Sequence, residues 1–144
     1  MFNPTAPCPC GCMPAHATAR LTYAACCGRW HAGPQHLQAP DAEALMRSRY
    51  SAYVLCLADY LQATWHPRTR PATLSLDEHG LRWLGLMVKR HERVDETHAT
   101  VAFVARSKLG GKAHRLHETS RFELSAAAGE PARWLYVDGD LHAG

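Results

Sequence analysis

Five of the six cysteines in this chain lie within its first 27 residues, and they limit how that part can fold. The stretch CPCGCMPAHATARLTYAACCGRWHAG runs from Cys8 to Gly33 and shows little periodic apolar pattern. A segment this short cannot build a hydrophobic core from its own side chains and generally needs a covalent or metal staple. The cysteines therefore predict an N-terminal unit that is held together by disulfide bonds or by a bound metal ion.

The cellular location of the protein decides whether disulfide bonds or a metal ion are expected to link these cysteines. The N-terminal sequence MFNPTAPCPC has no basic segment followed by an apolar run, so we expect no signal peptide and a cytoplasmic location. No apolar stretch approaches the roughly 18 residues of a membrane span, and we expect no membrane contact. Because structural disulfides are rare in the cytosol, a metal site is favoured over a redox-active cluster or a disulfide-stapled secreted peptide.

The spacing of the cysteines is compatible with one tetrahedral metal site. Cys8 and Cys10 are one residue apart, and fifteen residues separate Cys10 from the pair Cys26 and Cys27. Two ligands on a tight turn and a second close set are the usual arrangement. Thiolates with one imidazole favour a single structural zinc ion, with iron as the weaker choice. Cys8, Cys10 and Cys26 are three expected ligands, and the fourth is Cys27 or His31.

Two further cysteines fall outside this scheme. Cys12 lies within reach of the same centre and leaves the ligand set open. Cys56 lies in an apolar helical segment and is expected to be a small buried hydrophobic residue. GPQHLQAP, from Gly33 to Pro40, is typical of a linker because a proline stands near each end.

The rest of the chain predicts helices followed by strands. DAEALMRSRYSAYVLCL (41–57) has helical apolar spacing and Asp41 as an N-cap. ADYLQATWHP (58–67) predicts a second helix, capped by Asp59 and ended by Pro67. Four strands are expected, at 81–93, 97–108, 114–125 and 132–138, joined in part by turns at LGGK (109–112) and AAAGEPA (126–132). Helices followed by an antiparallel meander indicate an α+β fold.

The sequence resembles a known bacterial family over nearly its whole length. CPCG, YAACCG and the following histidine resemble the SEC-C metal-binding motif, and LMRSRYSAYVLCLADYLQATWHP resembles the bacterial YchJ-like family. VAFVARSKLGGKAHRLHETSRFEL and RWLYVDGD continue that likeness over nearly the whole chain. The resemblance implies a SEC-C-like knuckle at 1–34, a linker at 35–40 and a cone-shaped nuclear-transport-factor-2-like domain at 41–144, with helices packed on a curved antiparallel sheet.

A cone fold of this kind leaves a cavity, and strand alternation predicts which polar groups share a face. Glu118, Ser120 and Phe122 share one face of the third strand, and His117, Thr119 and Arg121 share the other. Trp134, Tyr136 and Asp138 share a face of the last strand by the same rule. An arginine of the first helix, Arg47 or Arg49, is expected to pair with Glu118 or Asp138. The candidate cavity residues are Arg49, Tyr50, Tyr53, Trp65, His66, Glu118, Arg121, Trp134, Tyr136 and Asp138.

Three functions remain open from the sequence. SEC-C motifs elsewhere are associated with translocase, chaperone and ribosome contacts, so the resemblance implies an adaptor whose knuckle binds a protein or ribonucleoprotein. The first alternative is a small-molecule-binding protein or enzyme that uses the cavity, with His66 as the general base. A purely structural role of these residues, in which they stabilise the fold, is favoured over catalysis. Nucleic-acid binding is weaker still, since the net charge is only +3 and only Arg20 and Arg29 lie near the cysteines.

Overall fold

Helices precede an antiparallel sheet, as the sequence predicts. The computed structural model describes residues 3–12, 19–74, 76, 80–126 and 129–142. The elements in these ranges are α1 (Gly28–His31), α2 (Ala42–Val54), α3 (Ala58–Ala63), β1 (Leu81–Arg93), β2 (His98–Leu109), β3 (Lys112–Ser125) and β4 (Arg133–Leu141). The longest of these helices, α2, has 13 residues. In the described ranges, none has both the length and the hydropathy of a membrane span.

Helix α2 begins as predicted and ends earlier than predicted. The Asp41 carboxylate accepts a hydrogen bond from the Ala44 amide at 2.7 Å, which caps the helix. At the other end, the Leu57 amide donates to the Ala52 carbonyl at 2.8 Å, and Cys56 takes a φ of 58°. This Schellman-type ending normally uses glycine at the left-handed position. Cys56 is therefore exposed, and its predicted burial inside a helix is wrong.

Helix α3 connects the helical layer to the last strand. Its N-cap is Leu57, without a side-chain hydrogen bond, so the predicted cap at Asp59 is wrong; Asp59 lies in the first turn. Beyond the helix, the Tyr136 amide donates to the Thr64 carbonyl at 2.8 Å, and the His66 amide donates to the Tyr136 carbonyl at 2.7 Å. These bonds hold the end of α3 against β4.

The sheet is a four-stranded antiparallel meander in the order β1-β2-β3-β4. Gly110 and Gly111, with φ values of 57° and 80°, form the two-residue turn between β2 and β3 that LGGK predicts. The predicted turn at 126–132 lies partly outside the described residues. Between β3 and β4 the register shifts: Phe122 pairs with Tyr136 and Arg121 with Asp138, so Val137 is an extra, unpaired residue.

The core lies between the helices and one face of the curved sheet. Leu45 of α2, Leu61 of α3, Val101 of β2 and Phe122 of β3 are at most 2% exposed. Each such side chain contributes about 1.5–3 kcal/mol through burial. The cysteines of the N-terminal segment belong to the same buried cluster. The fold is therefore α+β, with a curved sheet packed against helices.

Candidate metal centre and cone cavity

Backbone hydrogen bonds between residues 8–12 and Leu21 position the first cysteine pair. The Cys8 amide donates to the Leu21 carbonyl at 2.9 Å, and the Leu21 amide donates to the Cys12 carbonyl at 3.1 Å. Gly11 has a φ of 73° and closes a turn back to the Cys8 carbonyl at 3.1 Å. The left-handed backbone at Gly11 favours glycine. This turn directs Cys8 and Cys10 to the same side of the segment.

A second turn delivers the other pair. The amides of Cys26 and Gly28 both donate to the Tyr23 carbonyl, at 3.1 and 2.9 Å. A Cβ atom added at Gly28 would lie 2.7 Å from that carbonyl oxygen, so only glycine fits. Helix α1 begins at Gly28 with Cys27 as its N-cap. Cys26 and Cys27 therefore lie in the turn immediately before a helix, where a bend lets neighbouring side chains converge.

The four sulfurs form a compact group. The Sγ atoms of Cys8, Cys10, Cys26 and Cys27 all lie within 4.8 Å of one another. The Sγ atoms of Cys10 and Cys26 are 3.6 Å apart, and those of Cys26 and Cys27 are 4.0 Å apart. A tetrahedral ion with Zn–S bonds of about 2.3 Å requires sulfurs about 3.8 Å from one another. The group therefore has the dimensions of a closed four-thiolate site and can hold a metal ion.

The thiols are buried and perturb one another. The four cysteines are 0%, 0%, 5% and 1% exposed in sequence order. Hydrogen bonding chiefly from Cys10 lowers the pKa of Cys8, and hydrogen bonding chiefly from Cys26 lowers the pKa of Cys10. The pKa values of Cys26 and Cys27 are raised, chiefly by hydrogen bonding to Cys10. Without a cation the thiols must share protons, whereas a bound divalent ion allows all four to be thiolates.

Helix α2 supplies the groups around the sulfurs. The Arg47 guanidinium donates to the Cys10 carbonyl at 3.2 Å and to the Glu43 carboxylate at 3.0 Å. The Ser51 hydroxyl lies 3.6 Å from the Cys8 sulfur. A four-thiolate site around a divalent ion carries two net negative charges, and a nearby guanidinium offsets part of them. The centre is thus held against α2.

His31 makes other contacts in this structure. Its Nε2–H donates to the Ser48 carbonyl at 2.8 Å, so Nδ1 accepts from the Tyr23 hydroxyl at 2.5 Å. Its ring packs edge-on against Tyr60 with centroids 4.6 Å apart. Burial lowers the pKa of His31, which favours the neutral ring. Both ring nitrogens are engaged, and His31 joins α1 to α2; Cys12 is half-buried and outside the four-sulfur group.

A cavity of about 300 Å³ lies between α2, the end of α3 and the sheet. Six of the ten side chains proposed from the sequence line it: Arg49, Tyr50, Tyr53, Trp65, Glu118 and Tyr136. Sequence reasoning missed several others: Met46, Trp83, Phe103, Ala105, Leu116 and Phe122. Alternation along β2 and β3 was the available signal for Phe103 and Phe122. The wall is therefore mainly aromatic and apolar.

The bulge in β4 moves Asp138 away from the cavity, and Arg121 lies on the face of β3 opposite Glu118. Because Val137 is extra, Tyr136 faces the cavity whereas Asp138 lies on the opposite face, beside Arg121. The Arg121 guanidinium binds the Asp138 carboxylate at 2.6 Å and the Asp140 carboxylate at 2.7 Å. These groups are 44%, 49% and 66% exposed. The predicted common face of Trp134, Tyr136 and Asp138 is wrong for Asp138.

The other two candidates also pack elsewhere. The His66 Nε2 atom lies 2.6 Å from the Glu123 carboxylate, and its Nδ1 accepts from the Arg68 amide at 3.1 Å. Trp134 is buried, and the Arg93 guanidinium lies 5.1 Å from its ring centroid. Neither side chain lines the cavity. A catalytic role for His66 acting on a cavity ligand therefore has no support in the geometry.

Arg49 is buried, and its predicted carboxylate partner is absent. The residue is 5% exposed, and its Nη1 donates to the Leu61 carbonyl at 2.9 Å and to the Thr64 hydroxyl at 2.7 Å. Its guanidinium lies 4.9 Å from the Trp65 ring centroid and 4.6 Å from that of Tyr136. Burial lowers its pKa. Within the described residues, no carboxylate lies within ion-pair distance of this cation.

These features define a class: a small protein with an N-terminal four-thiol knuckle packed against a cone of helices on a curved sheet. The chain matches the family model described as "YchJ, middle NTF2-like domain" over residues 41–139. It belongs to this YchJ-like family, and the resemblance seen in the sequence is confirmed.

Curated relatives and a solved structure agree with this membership. The chain is 54% identical to a UPF0225 protein of Bordetella pertussis over 141 residues, covering 96% of this chain and 97% of that protein. It is 58% identical to a UPF0225 protein of Cupriavidus metallidurans over 137 residues, covering 94% and 89%. A crystal structure of a SEC-C motif containing protein from Psychrobacter arcticus is 32% identical, with a TM-score of 0.76, covering 96% of this chain and 84% of that one.

Proposed function

We propose that Cys8, Cys10, Cys26 and Cys27 bind one zinc ion with a structural role. The observation that carries this proposal is the convergence of four buried sulfurs within 4.8 Å. All four positions of a tetrahedron are then filled by protein, which leaves no open position for a substrate. The metal replaces the core that the N-terminal segment lacks and links its two turns to α2.

The choice of zinc rests on the donor set. A four-sulfur tetrahedral site suits zinc or iron, and zinc, which has no redox chemistry, is the ion expected where the role is structural. Elemental analysis of untagged protein tests this: one equivalent of zinc is expected. Cys10→Ser is expected to lose the metal, and Cys56→Ser, an exposed cysteine outside the group, is the matched control that keeps it. Stoichiometric iron would replace zinc in the proposal, and no metal in freshly reduced protein would refute it.

We further propose that the metal-held knuckle is the docking module of a cytoplasmic adaptor. Support comes from its cations. Arg20 is exposed, and the Arg29 guanidinium lies 4.5 Å from the Trp30 ring centroid. Neither arginine forms an ion pair with any group in the described ranges. Two cations without acidic partners on a rigid unit suit an acidic protein surface or a ribonucleoprotein.

A charge reversal tests the adaptor role in the full-length protein. Arg20→Glu with Arg29→Glu is expected to abolish co-purification of the partner while one metal ion is retained. Lys108→Glu with Lys112→Glu, at the β2–β3 turn, is the charge-matched control and is expected to keep the partner. Equal recovery with both pairs would contradict the docking role. Treating the sample with ribonuclease distinguishes a ribonucleoprotein from a protein, and direct salt-sensitive binding to RNA alone would favour the weaker nucleic-acid alternative.

A further inference from the structure

The cavity beneath α2 holds a cation that makes no direct ion pair with the described residues. Arg49 is 5% exposed and lines this cavity. Buried arginines are normally paired with a carboxylate, because an isolated buried charge is costly. Glu118 lines the same cavity, and its negative charge favours the charged form of Arg49, but it forms no direct ion pair with it. Glu43 of α2 pairs with Arg47, and Asp138 of β4 pairs with Arg121. Arg49 therefore carries a charge to which no carboxylate of the described part of the chain is directly bound.

The two rings beside Arg49 decide which of its atoms stay available. Trp65 and Tyr136 lie 4.9 and 4.6 Å from the guanidinium and meet each other edge to face at 5.2 Å. Aromatic faces attract the face of a guanidinium. Its N–H donors lie in its own plane, and only Nη1 is used, by Leu61 and Thr64. The donors on Nε and Nη2 have no acceptor in the described ranges.

Those donors can be reached from the cavity. Nε and Nη2 of Arg49 have no hydrogen-bond partner in the described ranges, and neither atom is fully enclosed by protein. Since the residue is almost fully buried and lines the cavity, the surface left to these atoms faces into it. A planar guanidinium with adjacent free N–H groups binds a carboxylate in a bidentate manner.

The rest of the wall restricts the size and charge of a ligand. Tyr50, Tyr53, Trp83 and Phe103 give the cavity an apolar, aromatic wall. A volume of about 300 Å³ lies at the lower end of the range for ligand pockets. Glu118 also lines the cavity and accepts a hydrogen bond from the Ser120 hydroxyl. A second carboxylate in the same space disfavours ligands with more than one negative charge.

We propose that this cavity is a binding site for a small organic acid that has one carboxylate and an apolar or aromatic body. The carboxylate binds the Nε and Nη2 donors of Arg49, and the apolar body lies among the rings of α2, β1 and β2. This site is separate from the metal centre, so the proposal does not depend on the bound zinc or on a docking partner.

Isothermal titration of the full-length, metal-loaded protein tests the proposal. The probe is 3-phenylpropionate, and the matched control ligand is 3-phenylpropan-1-ol, which has the same body without the charge. Because a hydrogen-bonded charged pair is worth more than a neutral contact, the acid is expected to bind about tenfold more tightly or better. Equal affinity for the acid and the alcohol, or binding of neither, would overturn it.

Two variants locate the site. Arg49→Met is expected to weaken binding of the acid by about 10- to 100-fold and to leave binding of the alcohol nearly unchanged. Glu118→Gln removes a like charge and is expected to tighten binding of the acid by about threefold or more. If Arg49→Met does not fold, the Glu118→Gln result and the alcohol comparison decide. Weaker or unchanged binding in Glu118→Gln would contradict the assigned position of the carboxylate.

Zinc analysis of the same samples keeps the two proposals apart. A protein that holds one zinc ion and does not bind the acid refutes the cavity site alone. A protein that binds the acid and holds no metal refutes the metal centre alone.

Discussion

The identity of the fourth ligand gives the sharpest test of the metal centre. The sequence allows Cys27 or His31, whereas the structure places the Cys27 sulfur in the four-sulfur group and engages both nitrogens of His31 elsewhere. Phenylalanine at 31 keeps a ring against Tyr60 and removes two hydrogen bonds. We therefore expect His31→Phe to retain one metal ion and Cys27→Ser to lose it.

The cost of His31→Phe can be estimated from its contacts. The lost bonds join its Nε2 to the Ser48 carbonyl at 2.8 Å and its Nδ1 to the Tyr23 hydroxyl at 2.5 Å. Losing buried partners of this kind reduces the free energy of unfolding by about 1–3 kcal/mol. For a chain of this size the melting temperature should fall by roughly 3–10 °C.

The assay pairs elemental analysis with thermal unfolding at one fixed concentration of free zinc, because a bound ion shifts the apparent stability. Tyr23→Phe removes one of the two bonds and should show a smaller loss of stability. The reasoning is refuted if His31→Phe loses the metal while Cys27→Ser keeps it, since the imidazole would then be the ligand.

Three further results are expected. Gly28→Ala should destabilise the knuckle by about 2 kcal/mol or more, because its Cβ would clash with the Tyr23 carbonyl; an unchanged melting curve would contradict the tight turn. In the metal-loaded protein only Cys12 and Cys56 should react rapidly with a thiol reagent, and all six cysteines should react after chelation; rapid reaction of all six before chelation would argue against bound metal. A hydrogen bond to Asp95 raises the pKa of His98 above 6.5, so its stabilising effect is complete below pH 6.5 and is lost as the pH rises through the folded-state pKa. NMR titration should find that shift, and Asp95→Asn should reduce it and leave the smaller contribution of Glu123; an equally raised pKa in that variant would exclude Asp95 as the main cause.

Local rules were sufficient where one segment decides its own conformation. Asp41 caps α2 as its side chain and the following helical pattern predict. The Gly110–Gly111 pair forms the predicted tight turn, because both positions need a positive φ. The crowding of cysteines in a segment without a core likewise predicted a group of converging sulfurs. The division into knuckle, linker and cone domain at 34 and 40 stays a prediction.

Longer-range features needed the packed structure. The left-handed Cys56 ends α2 without a glycine to announce it. The extra residue at Val137 turns Asp138 to the outer face, and a period-two rule cannot foresee a bulge that depends on the neighbouring strand.

By itself, the sequence determined the cysteine-rich segment, the order of helices and strands, and the α+β class, because these follow from composition and from local hydrogen-bonding and steric preferences. The tertiary structure alone decided that His31 bonds to Ser48 and that Arg49 lies between two rings without a carboxylate. Both outcomes depend on contacts between α2 and residues distant in sequence. Such contacts form only when the helices pack on the curved sheet, and no spacing along the chain encodes them.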